Sequence, residues 1–595
     1  MEAAVTTLRF SASLYAEAAI AAAADAYAQL LRTSVAQEKS ELAVTLIPLD
    51  GVELTDDVLD HFGNQVLHET ITRRPRSGAT GSQPVGSAGR AESPSLQHDG
   101  TPEIAADTLA YFRFGQLGER AILSNDAGEW HLMPQPEFDQ FVRGQLPADH
   151  AQMPMLRAKG FLRDGFDADA FAEKFRRKKA FVGQGPHLHI VLTTLRCNQS
   201  CRYCHASRTS MDRVDTDMTM ETAKAVVDLA MQTTSNYVNF EFQGGEPTVN
   251  FPVLQYIVDY SRERNRTLGK VLEHSVVTNL THMTDEKADW LVDNKVMVCT
   301  SLDGPEELHN WNRTWSGGGN AWGDVVRWIR TLNERHIARG HDPRLWHVDA
   351  LMTTTRRTFD HWKEIIDLYV DLGIRNIFFR PLNPYGFAVK SWKTIGYSVD
   401  EYLDLYMRAL DYIIELNRRG IEIMEAGAAH FLVKLLTPDD PNFADIRSPA
   451  GAGSGVLAYN YDGRIFPSDE ARMLWAMGDD IFELGRAGES TYEEIVTHPT
   501  VRSIALASLQ DTLPACATCW NKPFCGMDPI DNYMVHGDLF GQRPLSPNCR
   551  ESYNIVARLI EKLAADSTGE IEKIFRRWTV RRLRSGELED MRSSA

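Results

Sequence analysis

Short apolar runs separated by longer amphipathic stretches recur through the middle of the chain. His187 to Thr194 reads as a strand, Glu221 to Gln232 as a helix and Tyr237 to Phe242 as the next strand. Ser275 to Thr278, Val296 to Leu302, His347 to Met352 and Asn376 to Phe379 continue the series, with helical periodicity between each pair. Strands of this length alternating with helices predict βαβ units on a parallel sheet, an α/β fold. Six units fit between residues 187 and 419. Folds of this kind place their chemistry at the carboxyl ends of the strands. The residues there include a cysteine loop, Gly244-Gly245-Glu246-Pro247, Asn279 and Ser301-Leu302-Asp303-Gly304-Pro305.

The pattern changes on either side. Thr7 to Phe10 reads as a strand, Tyr15 to Arg32 as a helix, Leu42 to Pro48 as a strand and Thr55 to Thr72 as a helix, an α+β module over residues 1–73. Residues 74–103 are rich in Gly, Ser, Pro and Arg and read as a flexible linker. Residues 104–180 carry apolar runs at Tyr111 to Phe114 and Ala121 to Ser124, then helices around Glu137 to Gly144 and Ala151 to Gly160. The barrel segment is 181–419, followed by a distinct region 420–560 and a tail 561–595, whose charge-rich helical stretch Glu570 to Arg592 suits a solvated face.

Cysteine placement narrows the chemistry. Cys197, Cys201 and Cys204 stand in one short loop directly after the first barrel strand. Iron–sulfur cubanes ordinarily take four thiolates, so three leave one iron open for chemistry. The alternative is a structural zinc site, but His205 is adjacent to Cys204 and badly placed to close the same tetrahedron. Cys516, Cys519, Cys525 and Cys549 could close a second, fully ligated cluster, or a zinc ribbon. That leaves Cys299 inside a core strand, and the count of eight cysteines predicts two clusters, not three.

The C-x3-C-x-Tyr-C loop, followed one strand later by Gly-Gly-Glu-Pro, resembles the radical S-adenosylmethionine (SAM) superfamily. The resemblance implies a partial (β/α)6 TIM-like barrel in which the open iron chelates SAM and its reductive cleavage gives a 5'-deoxyadenosyl radical. It implies that Gly244, Gly245 and Glu246 hold the methionine amine. Asn279, Ser301 and Arg313 would touch the ribose or carboxylate, and Tyr203 would lie near the adenine. The late cysteine set and the segment Val456 to Glu470 resemble the SPASM extension of peptide-modifying members, here with Pro467-Ser468-Asp469 in place of Pro-Cys-Asp. By similarity to sulfatase-maturing enzymes, Asp469 would be the catalytic base.

At subfamily level, Tyr111 to Phe114, Arg380 to Gly386 and Tyr459 to Gly463 resemble the maturase of His-Xaa-Ser systems, an HxsB-like family, with an HxsD-like module at residues 1–73. Residues 104–180 resemble winged-helix peptide-recognition elements, or else form a cap on the barrel. The implied reaction is hydrogen abstraction from a ribosomally made precursor peptide and installation of an intramolecular crosslink, with flavodoxin or ferredoxin as electron donor. Side-chain oxidation, thioether formation or a non-catalytic iron–sulfur electron carrier remain alternatives.

A formal net charge of −18 argues against nonspecific nucleic-acid binding and against an anionic membrane surface. Cysteines assigned to clusters imply a reducing, cytoplasmic setting. The Ala-rich run Ala18 to Ala24 lacks a basic leader and is flanked by Glu17 and Asp25, so it reads as an amphipathic helix rather than a signal peptide. No stretch is long and apolar enough to span a membrane.

Overall fold

The computed structural model describes residues 5–11, 17–38, 41–49, 58–59, 62, 65–66, 107–315 and 318–580. They fall into two compact units, one drawn from residues 1–175, 510–523 and 543–546, the other from 176–509, 524–542 and 547–595.

In the first unit, β1 (Thr6–Ser11), β2 (Leu31–Glu38) and β3 (Glu41–Pro48) form an antiparallel sheet in the order β1-β3-β2. The helix ends at Ala26 and Leu31 opens β2, so the helix expected through Arg32 is shorter. The β-branched residues Thr33 and Val35 pair in register with Leu46 and Val44, and strand pairing outweighs the alanine-rich helical signal before it. The helix expected at Thr55 to Thr72 lies largely outside the described residues. Of it, Val58, Leu59, Phe62, Gln65 and Val66 are helical. Residues 74–103 also lie outside them. A second antiparallel sheet joins β4 (Arg113–Leu117), β5 (Arg120–Ser124) and β6 (Trp130–Pro134), the last not anticipated from the sequence.

The second unit is built on parallel strands. β7 (Leu188–Thr194), β9 (Tyr237–Gly244), β10 (Val271–Thr278), β11 (Met297–Ser301), β13 (Asp349–Thr353) and β15 (Phe379–Arg380) lie side by side in chain order, each parallel to the next. Short paired segments interleave them: β8 (Gln199–Cys201) with β12 (Arg313–Trp315), and β14 (Asn376–Ile377) with β16 (Met424–Glu425). The single strand expected at Asn376 to Phe379 is thus divided. Its first half pairs with β16, and only Phe379 and Arg380 join the main sheet. Helices cross between the strands, and their starts carry the expected caps: Thr219 and Thr284 accept from main-chain N–H groups, and Ser398 forms a capping box with Glu401. This is a six-stranded α/β partial barrel, as expected. A hairpin of β17 (Val456–Tyr459) and β18 (Arg464–Phe466) extends the sheet, β17 lying parallel to β7.

Alternate residues of the barrel strands have opposite characters. Val238, Phe240, Phe242, Val276, Val298, Ala350 and Met352 are buried. The residues between them include Asn239, Glu241, Gln243, Ser275, Cys299, Asp349 and Arg380. Gln243 donates to Glu241 (2.7 Å), and Asn239 to Ser275 (3.2 Å). A period of two puts these polar residues on one face. Cys299 lies on that face, half-buried beside Glu241, Asp349 and Arg380, and not in an apolar layer. Among the described residues, no helix is long and apolar enough to cross a membrane.

Candidate active site

The cysteine loop leaves β7 and is closed by main-chain bonds from Cys197 N to Thr209 O (3.1 Å) and Thr209 N to Leu195 O (2.7 Å). Cys201 ends β8 and stands opposite Arg313 of β12. Arg313 Nε donates to Asp303 Oδ2 (3.1 Å), its Nη1 lies 3.8 Å from Cys201 Sγ, and its guanidinium covers the Tyr203 ring at 5.2 Å. Tyr203 donates its hydroxyl to the same Asp303 oxygen (2.5 Å). Asp303 is fully buried, and this carboxylate ties the third cysteine's flank to the end of β11. Sequence reasoning quoted Asp303 without assigning it a part. A carboxylate one residue past a strand end was its only signal.

Gly244 and Gly245 are required by the chain's own backbone. Gly244 has φ +148°, and a Cβ on Gly245 would meet Leu195 O and Arg196 O at 2.4 Å. Gly245 N donates to Thr194 O and Glu246 N to Arg196 O, both at 2.8 Å. The turn is therefore laced to the first residues of the cysteine loop. Gly245→Ala forces backbone against backbone, which cannot yield as a flexible side chain would. We expect about 1–3 kcal/mol of destabilisation, read in a denaturant titration, with reduced iron uptake by the loop; an unchanged midpoint would refute the close-approach argument.

Glu246 is fully buried and accepts from Thr248 N (3.1 Å), Thr248 Oγ1 (2.6 Å), Thr278 Oγ1 (2.7 Å) and Asn279 N (2.8 Å). It braces the ends of β9 and β10. Asn279 Nδ2 donates to Asn198 Oδ1 (3.0 Å) and approaches Cys197 Sγ (3.7 Å). Ser301 ends β11 and is half-buried. Tyr203, Gly244, Gly245, Glu246, Asn279 and Arg313 thus gather around the cysteine loop.

Burial pushes the Cys197 thiol up and the Cys201 thiol up to about 12, the latter against the pull of Arg313. Without a metal these sulfurs stay protonated, so their thiolate form depends on a ligated cation. Among the described residues no three His, Cys, Asp or Glu side chains converge where a single ion could sit. Three soft donors on one loop fit the thiolate set of a cubane that is one ligand short.

Asp469 is the first residue of the helix Asp469–Ala476, whose N-cap is Ser468. The Ser468 hydroxyl accepts from Ala471 N (3.4 Å). Asp469 Oδ1 accepts from Arg472 Nε (3.0 Å), and Arg472 Nη1 donates to Ala206 O (3.1 Å), just past Cys204. Asp469 also faces Glu241 of β9, which burial and this neighbouring charge push up. Next to it, burial and the charges of Asp445, Asp469 and Asp531 push Glu470 up to about 8, with Arg380 opposing. Sequence reading singles out Asp469 but not its neighbours Glu241, Asp445 and Asp531. The members of this carboxylate group come from four distant segments, so no local pattern marks it.

Of the late cysteines, Cys516 and Cys519 belong to the first unit, Cys525 and Cys549 to the second. The segment bearing the first pair is fastened to the β4–β5–β6 sheet. Arg113 Nε donates to Ala517 O (2.6 Å), Ser124 Oγ to Trp520 O (2.6 Å), and Lys522 pairs with Asp126 (3.0 Å). Burial disfavours ionised Asp126, but Arg113 and Lys522 outweigh it and hold the carboxyl below its usual range.

This arrangement of a cysteine loop at the first strand end of a parallel partial barrel defines a class. Residues 191–369 match the radical SAM superfamily, and the chain carries a radical SAM domain. Relatives include an uncharacterized protein of Methanocaldococcus jannaschii, 25% identical over 235 residues that span 39% of this chain and 75% of the relative. A cysteine-type anaerobic sulfatase-maturating enzyme of Clostridium novyi is 22% identical over 343 residues, 55% of this chain and 83% of that enzyme. Among solved structures, native anSMEcpe with bound AdoMet and Cp18Cys peptide superimposes with a TM-score of 0.52 at 19% identity, over 64% of this chain and 98% of that one. The fold is shared with that structure.

Proposed function

We propose that the chain is a radical SAM maturase that abstracts hydrogen from a ribosomally made precursor peptide and installs an intramolecular crosslink. The observation that carries this reading is Asp469, a carboxylate tied through Arg472 to the main chain immediately behind the third cysteine. An electron carrier has no use for such a group. The relation to a sulfatase-maturating enzyme and the peptide bound in anSMEcpe support a peptide or protein substrate.

Cys197, Cys201 and Cys204 would hold one [4Fe-4S] cluster, and Cys516, Cys519, Cys525 and Cys549 an auxiliary one. When bound, the first supplies the electron that cleaves SAM to a carbon radical. The chain's own residues do the rest. Gly244, Gly245 and Glu246 would hold the methionine amine of SAM, Asn279, Ser301 and Arg313 would line its ribose or carboxylate, and Tyr203 its adenine side. Asp469 would accept the proton lost as the peptide radical closes to product, which is general-base work, and the electron released with it would have its acceptor in the auxiliary cluster held by the four late cysteines. Flavodoxin or ferredoxin is the fitting reductant, in a cytoplasmic setting, and the HxsB-like and HxsD-like assignments follow the same reading.

The test is reconstitution with SAM, a reductant and the peptide encoded beside this gene. A peptide mass lower by two hydrogens per event, with matching 5'-deoxyadenosine, is expected. No 5'-deoxyadenosine from clustered, reduced protein would exclude the radical SAM activity. 5'-Deoxyadenosine with an unchanged peptide mass would exclude the pairing with that peptide.

A further inference from the structure

One guanidinium bridges two segments of the second unit that are far apart in sequence. Arg472 is 0% exposed. Its Nε donates to Asp469 Oδ1 at 3.0 Å and its Nη1 to the Ala206 carbonyl at 3.1 Å, while Nη2 is buried without a hydrogen-bond partner. Arg472 engages Oδ1, which leaves Asp469 Oδ2 as the oxygen to accept a proton. An i,i+3 ion pair on a helix contributes far less than the desolvation of a buried arginine costs. Arg472 also sits in the first turn of its helix, where the helix dipole disfavours a cation. Helix stability therefore does not account for it.

We propose that Arg472 is a positioning residue for the reaction: it anchors Asp469 to the main chain behind the cysteine loop, with one carboxylate oxygen fixed and the other presented to the substrate. The proposal rests on Asp469 as base. It adds that the base is set against the cysteine loop by a fork with two separate acceptors, a geometry a single ammonium cannot reproduce.

The experiment measures crosslinked peptide per 5'-deoxyadenosine in parent, Arg472→Lys, Arg472→Ala and Asp469→Asn, with iron content and thermal midpoint recorded for each. Misplacement by about 1 Å is expected to lower the ratio about 100-fold in Arg472→Ala. Arg472→Lys should recover part of it, and added guanidinium should raise the ratio in Arg472→Ala without altering the parent. If Arg472→Ala does not fold, Arg472→Lys decides: a parental ratio overturns the proposal. A ratio unchanged in both Arg472 variants but lowered in Asp469→Asn leaves the base in place and removes only the positioning role. A ratio unchanged in Asp469→Asn removes the base reading, and this proposal with it.

Discussion

Replacing Cys197, Cys201 and Cys204 together by alanine is expected to abolish 5'-deoxyadenosine formation and to remove about half of the bound iron and sulfide, one cluster of two. The expectation follows from where these thiols sit. Cys197 is buried beside Asn279, and Cys201 beside Arg313, so each occupies a site shaped by protein around it. The loop carrying them is closed by main-chain bonds to Thr209 and braced by the Gly245 turn, none of which uses a cysteine side chain. The triple variant should therefore stay folded while losing its donors, and the loss should read as chemistry. Replacing Cys516 and Cys519 should remove the remaining iron and also lower stability, because ligation contributes folding free energy. Iron and sulfide analysis with 5'-deoxyadenosine chromatography checks both. Parental cleavage in the triple variant would take the loop out of the reaction, and a third cluster in anomalous scattering would break the two-cluster count.

Asp469→Asn is the second large effect. Asparagine keeps the shape and most hydrogen bonding of the residue, including an oxygen for Arg472 Nε, but cannot take a proton. SAM cleavage should continue while crosslinked product falls by about 100- to 10,000-fold, the range for loss of a general base. If Asp469 only begins its helix, the same change weakens the N-terminal turn by about 0.3–1 kcal/mol and leaves product per 5'-deoxyadenosine at the parental value. Glu470, already pushed up to about 8 by burial and by its neighbouring carboxylates, would then be the next base to test.

The cysteine loop and the parallel barrel were both legible in the chain, for one reason: each is written in short-range terms. Ligands on a single tight loop must be close in sequence, and strand and helix periods repeat within a few residues. The barrel strands β7, β9, β10, β11 and β13 accordingly match their expected places to within a few residues. The helix expected through Arg32 failed on the same ground. An alanine-rich run carries its own helical signal, but Leu31 to Glu38 became a strand only because β3 was there to pair with it.

Side-chain partners were not legible. Glu246 is held by donors from two strand ends, Asp303 accepts from Tyr203, 100 residues away, and Arg472 reaches a carbonyl 266 residues away. The fastening of Ala517 and Trp520 to Arg113 and Ser124 spans an even longer stretch of chain. What the sequence determined by itself was which fold class is present and which cysteines share one tight loop. The tertiary structure alone decided that Glu246 and Asp303 are occupied as braces, that Asp469 is tied through Arg472 to the Ala206 carbonyl, and that Cys299 faces a polar layer. Those outcomes depend on which surfaces meet after the chain has closed, and local periodicity does not record that meeting.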